Sequence, residues 1–257
     1  GAKLDATDDI RQTALIFAAI SGKLDCLELL ITKGANVNAT DDRGMTALIR
    51  AAGKLDFLEL LVTKGANVNA TDNNGATALL CAACFGKLDC LEHLVAKGAK
   101  LDAADNDGMT ALMWAAFQGQ LDCLEYLVAK GAKLEATAKK GWTALMCAAQ
   151  EGNLDCLELL VVKGAKLDTA NDDGYTALMW AALKGKLDCL EHLVAKGAKL
   201  DATDNGGWTA LMIAAADGEL DCLEHLVAKG AKLDATKNRK STALHLAAFC
   251  GHAPCVE

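Results

Sequence analysis

Asp105-Asn106-Asp107-Gly108-Met109-Thr110-Ala111-Leu112-Met113-Trp114-Ala115-Ala116, continued by Leu121-Asp122-Cys123-Leu124-Glu125 and Lys130-Gly131-Ala132, is one version of a phrase that recurs through the chain. Its Thr-Ala-Leu core begins at Thr13, Thr46, Thr77, Thr110, Thr143, Thr176, Thr209 and Thr242, at gaps of 33, 31, 33, 33, 33, 33 and 33 residues. A fixed period of this size belongs to small units that cannot bury a core alone and must stack on their neighbours. Within the unit, Asp105 to Gly108 is turn chemistry: Asp and Asn bond locally and Gly supplies positive φ. Thr110 is placed to cap a helix. Leu112, Trp114, Ala115 and Ala116 fit about two turns of it, with Ala allowing another helix close, and Gly119 stops it. Leu121, Leu124, Leu127 and Val128 share one face of a second helix. Lys130 suits its negative end, Gly131 terminates it, and Ala132 to Ala136 returns to the next turn.

The repeat overrides the one-or-two-domain prior of a 257-residue chain, because no linker or composition shift interrupts it. Apolar residues make up 52% but aromatics only 4%, so the core must be built from Ala, Leu, Val, Cys and Met. A net charge of −8 argues against nucleic-acid binding. No run reaches the ~20 apolar residues of a membrane span, and no signal-peptide pattern opens the chain. Of 11 Cys residues, seven share one repeat position: Cys26, Cys90, Cys123, Cys156, Cys189, Cys222 and Cys255. Stacked rungs roughly 8–10 Å apart are too distant for disulfides, which need Cα atoms within about 7 Å. These thiols read as small buried hydrophobes in a reducing, intracellular and cytoplasmic setting.

With these blocks quoted, the chain resembles an ankyrin repeat array over nearly all its length. The resemblance implies an all-α repeat solenoid of stacked antiparallel helix pairs with β-turn or hairpin fingers. It also implies a non-enzymatic module, with no cofactor or metal, that binds another protein or peptide through a concave finger and inner-helix surface. The units run 8–40, 41–71, 72–104, 105–137, 138–170, 171–203, 204–236 and an incomplete 237–257. Both ends read as truncated, and the array as a monomer without membrane insertion. Ankyrin repeats favour Thr-Pro-Leu-His, whereas every copy here has Ala after Thr, and only His245 keeps the His. Met113, Met146, Met179 and Met212 replace it elsewhere, removing the family's Thr–His bond. An alternative reading makes the array the targeting arm of a larger enzyme or channel; an engineered binder fits less well, given the Cys ladder.

The second copy is two residues short, carries Arg50 in an inner-helix slot that holds Cys, Trp, Ile, Leu or Phe elsewhere, and has Phe57 in place of Cys. It reads as a repacked repeat. His93, His192 and His225 share a position with Leu and Tyr, which suggests a semi-buried face. Cys81 and Cys84 lack a second pair at zinc spacing. Asn38 and Asn69 stand where some ankyrin repeats carry a hydroxylated Asn. The Lys-Gly-Ala-Lys rungs read as a solvated face.

Variation concentrates before each Thr and after each Ala-Ala. The partner-binding candidates are therefore Met45, Phe85, Met109, Phe117, Trp142, Tyr175, Leu183 and Trp208, with Lys139 and Lys140 on a basic finger. Aromatic and Met anchors are typical of interfaces. Trp114 and Trp180, whose slot also takes Cys, Ile and Leu, read as core. Most fingers are acidic (Asp41-Asp42, Asp105 with Asp107, Asp172-Asp173), while the fifth is basic at Lys139-Lys140 and the eighth at Lys237, Arg239 and Lys240.

Overall fold

A computed structural model describes residues 3–237 and 241–256. Arg239 and Lys240 of the eighth finger lie outside the described residues. Each Thr-Ala-Leu opens a helix: α1 Ala14–Ser21, α3 Ala47–Arg50, α5 Ala78–Cys84, α7 Ala111–Gln118, α9 Ala144–Glu151, α11 Ala177–Leu183, α13 Ala210–Asp217 and α15 Ala243–Cys250. Each Leu-Asp-x-Leu-Glu block forms its partner: α2 Leu24–Thr32, α4 Leu55–Thr63, α6 Leu88–Ala96, α8 Leu121–Ala129, α10 Leu154–Val162, α12 Leu187–Ala195 and α14 Leu220–Ala228. After α15 the described residues form a 3-10 turn, Ala253–Cys255.

The Thr residues do what their placement implies. Thr13, Thr46, Thr77, Thr110, Thr143, Thr176 and Thr209 each accept the backbone N–H three residues on, at 3.2–3.4 Å. Each such cap stabilises its helix by about 1 kcal/mol. Only the eighth copy differs: His245 Nδ1 lies 2.8 Å from Thr242 Oγ1. Where Met replaces that His, the side chain turns inward, and Met113, Met146, Met179 and Met212 are fully buried. The lost polar bond is offset by apolar burial, worth about 1.5–3 kcal/mol per side chain.

The contacts group the chain into two units. One comprises the residues up to Ala115 together with Asp122–Ala132; the other comprises Ala116–Leu121 and the chain from Lys133 onward. In the first, α1 packs on α2 and α3, α3 on α4 and α5, and α5 on α6, while α2, α4 and α6 stack in turn. In the second, α9, α11, α13 and α15 stack in succession, with α10, α12 and α14 behind them. The seams are made of the Ala-Ala pairs and the Leu rows, among them Ala82, Ala83, Leu91 and Leu94 in the first unit and Ala181, Ala182, Leu190 and Leu193 in the second. Short Ala side chains let first helices approach closely.

Two sequence expectations need correction. Cys90, Cys123, Cys156, Cys189 and Cys222 are buried, but Cys26 is exposed and Cys255, in a 3-10 turn rather than a second helix, is half-buried. Burial pushes Cys123, Cys156 and Cys189 to about 11 and Cys222 to about 12. All 11 cysteines are free thiols. Trp114 and Trp180 are only half-buried rather than core. A large side chain in this slot reaches out to the finger surface, where Trp114 bonds Asp105 and Trp180 packs on Trp142 and Tyr175, while Cys147 or Ile213 in the same slot stays inside.

The short second repeat is repacked locally. Its first helix keeps only four residues, α3. Phe57 is buried in the Cys position. Arg50 Nη2 donates to Asp41 Oδ2 at 2.8 Å.

Candidate interaction surface

The fingers are built from one carboxylate or amide each. Asp41 Oδ1 accepts the backbone N–H groups of Arg43 and Met45 at 3.0 and 2.9 Å. Asp72, Asp105, Asn171 and Asp204 repeat the same two-pronged arrangement. The turn satisfies donors that the tight backbone reversal would otherwise leave unpaired. Fingers then lock together along the stack. Asn73 N donates to Arg43 O at 2.9 Å and Asn106 N to Asn74 O at 2.8 Å in the first unit; Asp172 N donates to Lys140 O and Asn205 N to Asp173 O in the second. This close approach explains the finger glycine: at Gly75, φ is 80° and a Cβ would lie 2.8 Å from Asn106 N. Among the described residues the finger edges carry only isolated antiparallel bridges, such as Thr40 with Thr46, and no strand. In the fifth copy Ala138 replaces the finger acid, and a 3-10 turn, Lys139–Gly141, forms with Lys140 at φ 59°.

The second oxygen of the finger acid reaches the first-helix slot behind it. Asp41 holds Arg50 there, and Asp105 Oδ2 accepts the indole N–H of Trp114 at 3.0 Å. Burial pushes the Asp41 carboxyl up, but the Arg50 hydrogen bond and the Met45 and Arg43 amides hold it below its ordinary value. In the sixth copy the finger residue is Asn171 and the slot residue Trp180. Asn171 Oδ1 is spent on Asp173 N and Tyr175 N, and the buried indole N–H of Trp180 finds no acceptor.

The sequence-derived candidates fall on this surface, in different surroundings. Phe85 is 64% exposed at the end of α5. Met45, Met109, Phe117 and Leu183 are half-buried, and Lys139 and Lys140 exposed. Trp142 and Tyr175 do not stand as separate rungs: both pack on Trp180, with ring centroids 4.5 and 5.2 Å away. Burial, followed by the charges of Asp204, Asp217 and Asp173, raises the Tyr175 pKa. Trp208 is covered by Lys237, whose Nζ lies 3.4 Å from the ring centroid.

Between the third and fourth copies the same surface opens. There the residue before Thr is Ala76, and the slot holds Cys81. A cleft of about 420 Å³ results, lined by Ala76, Cys81, Cys84, Phe85, Trp114 and the finger Asp105–Asp107. Sequence reasoning singled out Cys81 only for its spacing from Cys84 and did not pick Ala76, because a gap is made by what is small in one repeat beside what is large in the next. Burial, with the charges of Asp72 and Cys84 against that of Arg50, pushes the Cys81 thiol to about 11. Among the described residues no group of three or more His, Cys, Asp and Glu could hold a metal ion.

Two further sets of polar residues join one repeat to the next, a role that the sequence analysis did not assign to them. On the return segments, Asn38 Oδ1 accepts Asn67 N at 2.7 Å and Asn69 Oδ1 accepts Lys100 N at 2.8 Å. Glu135, Asp168 and Asp201 do the same for Lys166, Lys199 and Lys232. The recurrence of an acid or amide at that position was the available signal. Ahead of the second helices, Lys54 Nζ donates to Ala19 O at 2.7 Å and Ile20 O at 3.0 Å, and Asn153 Nδ2 to Ala116 O and Phe117 O at 2.9 and 2.8 Å. These donors satisfy carbonyls at the end of the preceding first helix. The histidines of the second helices face carboxylates one repeat back: His93 with Glu59 at 3.9 Å, His192 with Glu158 at 3.0 Å and His225 with Glu191 at 3.1 Å.

Comparison with known proteins agrees with this geometry. The M-phase phosphoprotein 8 sequences of Rattus norvegicus, Mus musculus and Homo sapiens are each 51% identical to this chain over 49 residues. That stretch covers 19% of this chain and 6% of each relative, so the likeness spans only a small part of theirs. A family model for ankyrin repeats in three copies matches residues 1–72, 52–138, 134–204 and 188–257. With capped helix pairs stacked through Ala and Leu, finger turns in register and the family pattern matched from end to end, the chain belongs to the ankyrin-repeat family.

Proposed function

We propose that the protein is a non-enzymatic scaffold that binds a partner protein or peptide through its finger and first-helix surface. Ankyrin repeats are protein-interaction modules, and that much comes with family membership. The finer reading rests on one observation. Positions that pack repeat on repeat are nearly invariant and buried, while the residues before Thr and after Ala-Ala vary along the chain and stand half-buried or exposed. A scaffold held constant beneath a varied surface is what selective recognition requires. No described helix is long and apolar enough to cross a membrane. The net charge of −8 favours a protein over a nucleic acid as partner. We read the unpaired, buried thiols as fitting a reducing, intracellular compartment.

The test is quantitative binding to a captured partner. Anchors at an interface often cost ~2 kcal/mol or more when truncated. Trp142→Ala or Trp208→Ala should therefore weaken binding by roughly tenfold or more with helicity retained. Lys100→Ala and Lys199→Ala, on the return segments where Lys199 pairs loosely with Asp168 at 3.7 Å, should leave it unchanged. Equal losses in both sets, or none in the first, would move the partner to the second-helix face.

A further inference from the structure

The Cys-x-x-Cys pair of the third copy has no part in the scaffold reading. Cys81 and Cys84 are the only two of the 11 cysteines that stand within four residues of each other. Both lie on α5, where residues three apart share a face and hold their Cβ atoms about 5–6 Å apart, a gap that one atom bonded to both sulfurs can span. Both are half-buried, whereas Cys90 and Cys123 of the same unit are buried. Both line the cleft of about 420 Å³, together with Ala76, Leu80 and the rings of Phe85 and Trp114. A group entering the cleft therefore meets two thiols side by side on an apolar floor.

The chemistry suited to this pair is that of the S–H group rather than of the thiolate. Burial, then the charges of Asp72 and Cys84, pushes Cys81 to about 11, and burial raises Cys84. Thiol–disulfide exchange and zinc binding both need the thiolate. Condensation with a trivalent arsenic hydroxide does not. Each S–H meets one As–OH, an S–As bond replaces the S–H and As–O bonds, and the proton leaves with the hydroxyl as water. Arsenic stays trivalent, so no oxidant or reductant enters. The product is neutral, and an apolar cleft accepts it without the cost of burying a charge. We propose that Cys81 and Cys84 form a dithiol site for trivalent arsenicals that carry one organic group and two hydroxyls. The arsenic bridges the two sulfurs with loss of two waters, and the organic group lies in the cleft against Phe85 and Trp114.

The probe is phenylarsine oxide, which takes the dihydroxy form in water, added at micromolar concentration to the reduced full chain. Native mass spectrometry should show one phenylarsenic group per molecule, with two sulfhydryl hydrogens lost. The adduct should survive an excess of 2-mercaptoethanol and be reversed by 2,3-dimercaptopropanol, a competing dithiol. It should shift the Trp114 indole N–H signal of 15N-labelled protein, and zinc chloride at the same concentration should give no adduct. Cys84→Gln places at the third copy the residue the fifth has at position 150, and Cys81→Ile the one the seventh has at position 213, so both should fold. Each should weaken the adduct by roughly a hundredfold or more, because two linked contacts exceed one by about that factor. Cys26→Ala, which removes an exposed thiol of the same unit, should change nothing. The proposal is overturned by several groups per chain, by an adduct that survives Cys84→Gln, by a flat Trp114 signal, or by zinc binding as tightly as the arsenical. Should Cys81→Ile not fold, Cys84→Gln, at the last residue of α5, decides alone. No partner protein enters this experiment, so the scaffold reading still stands or falls on the Trp142 and Trp208 variants.

Discussion

The gap between the third and fourth copies and the gap between the fifth and sixth are framed by the same backbone, yet one is a cleft and the other is filled by rings. Ala76 and Cys81 leave about 420 Å³ open in the first unit. Trp142, Tyr175 and Trp180 close the corresponding space in the second, with centroids within 5.2 Å of Trp180. The finger residue differs as well. Asp105 gives Trp114 an acceptor, whereas Asn171 leaves the Trp180 indole N–H unpaired. Two side-chain choices per repeat therefore set whether a unit presents a receptacle or a flat aromatic surface, while the helices beneath stay alike. At these positions the first unit presents a concave gap and the second a surface closed by rings.

The difference should be largest in alkali. The second unit holds five thiols raised by burial, four of them far: Cys147 and Cys222 to about 12 and Cys156 and Cys189 to about 11. In the first unit Cys81 and Cys123 rise to about 11. The unfolded chain loses these protons near pH 9, while the folded one retains them until about 11 or 12. Stability is thus fully present below pH 9 and falls as pH rises through that window. The slope is up to about 1.4 kcal/mol per pH unit for each thiol. Pulse proteolysis at pH 10 should cut the second unit first, and Cys156→Ala with Cys189→Ala should flatten its pH dependence. Earlier cleavage of the first unit would mean that its exposed apolar residues, Ile10, Phe17 and Ile20, weaken it more than the thiols weaken the second.

Next in size is the ring cluster itself. Trp180→Ala should destabilise the second unit by about 3 kcal/mol, the low end for removing a large aromatic because Trp180 is half-buried. It should also leave a gap beside Trp142 and Tyr175, which both pack on it. Urea unfolding gives the first number, and a shift of the Trp142 indole N–H signal of 15N-labelled protein tests the second. A loss below about 1 kcal/mol would show the rings to be surface cover rather than support.

The acceptor can be exchanged. Asn171→Asp should give Trp180 the bond that Trp114 has, a gain of about 1 kcal/mol. Asp105→Asn should cost the first unit a similar amount by leaving the indole N–H of Trp114 without its acceptor. If both changes destabilise, the finger amide is preferred in the second unit for a reason other than the indole, such as repulsion from Asp172 and Asp173 beside it.

The period, the Thr caps, the Ala and Leu seams and the buried middle of the Cys ladder were legible in the sequence because each follows from residues within one repeat. Cys26, Cys255, Trp114 and Trp180 were misread because their burial depends on what the adjacent repeat puts against them. The cleft is the same case. Phe85 was visible as a candidate, but the emptiness beside it comes from Ala76 and Cys81 in one copy and Trp114 in the next. The ladders from Asn38 to Asp201 and the donors Lys54 and Asn153 join residues 27 to 37 positions apart, a separation at which sequence patterns within one repeat are silent.

The smallest effect separates the units at the ends of their first helices. In the first, Lys54 reaches back to Ala19 O and Ile20 O; in the second, Asn153 serves Ala116 O and Phe117 O. Glu219 occupies this position in the seventh copy, with its carboxylate over Gly185 just beyond α11. An ionised carboxylate has only acceptors, and it faces the negative end of α11. Its charge also helps to raise Cys222, after burial. Glu219→Gln keeps the length, supplies two N–H donors and removes the charge. It should stabilise the second unit by about 0.5–1.5 kcal/mol, while Asn153→Ala should lose a comparable amount. Urea midpoints at constant slope measure both. A neutral Glu219→Gln beside a costly Asn153→Ala would mean that water already serves the carbonyls at the end of α11, and that the two units differ there in solvation rather than in bonding.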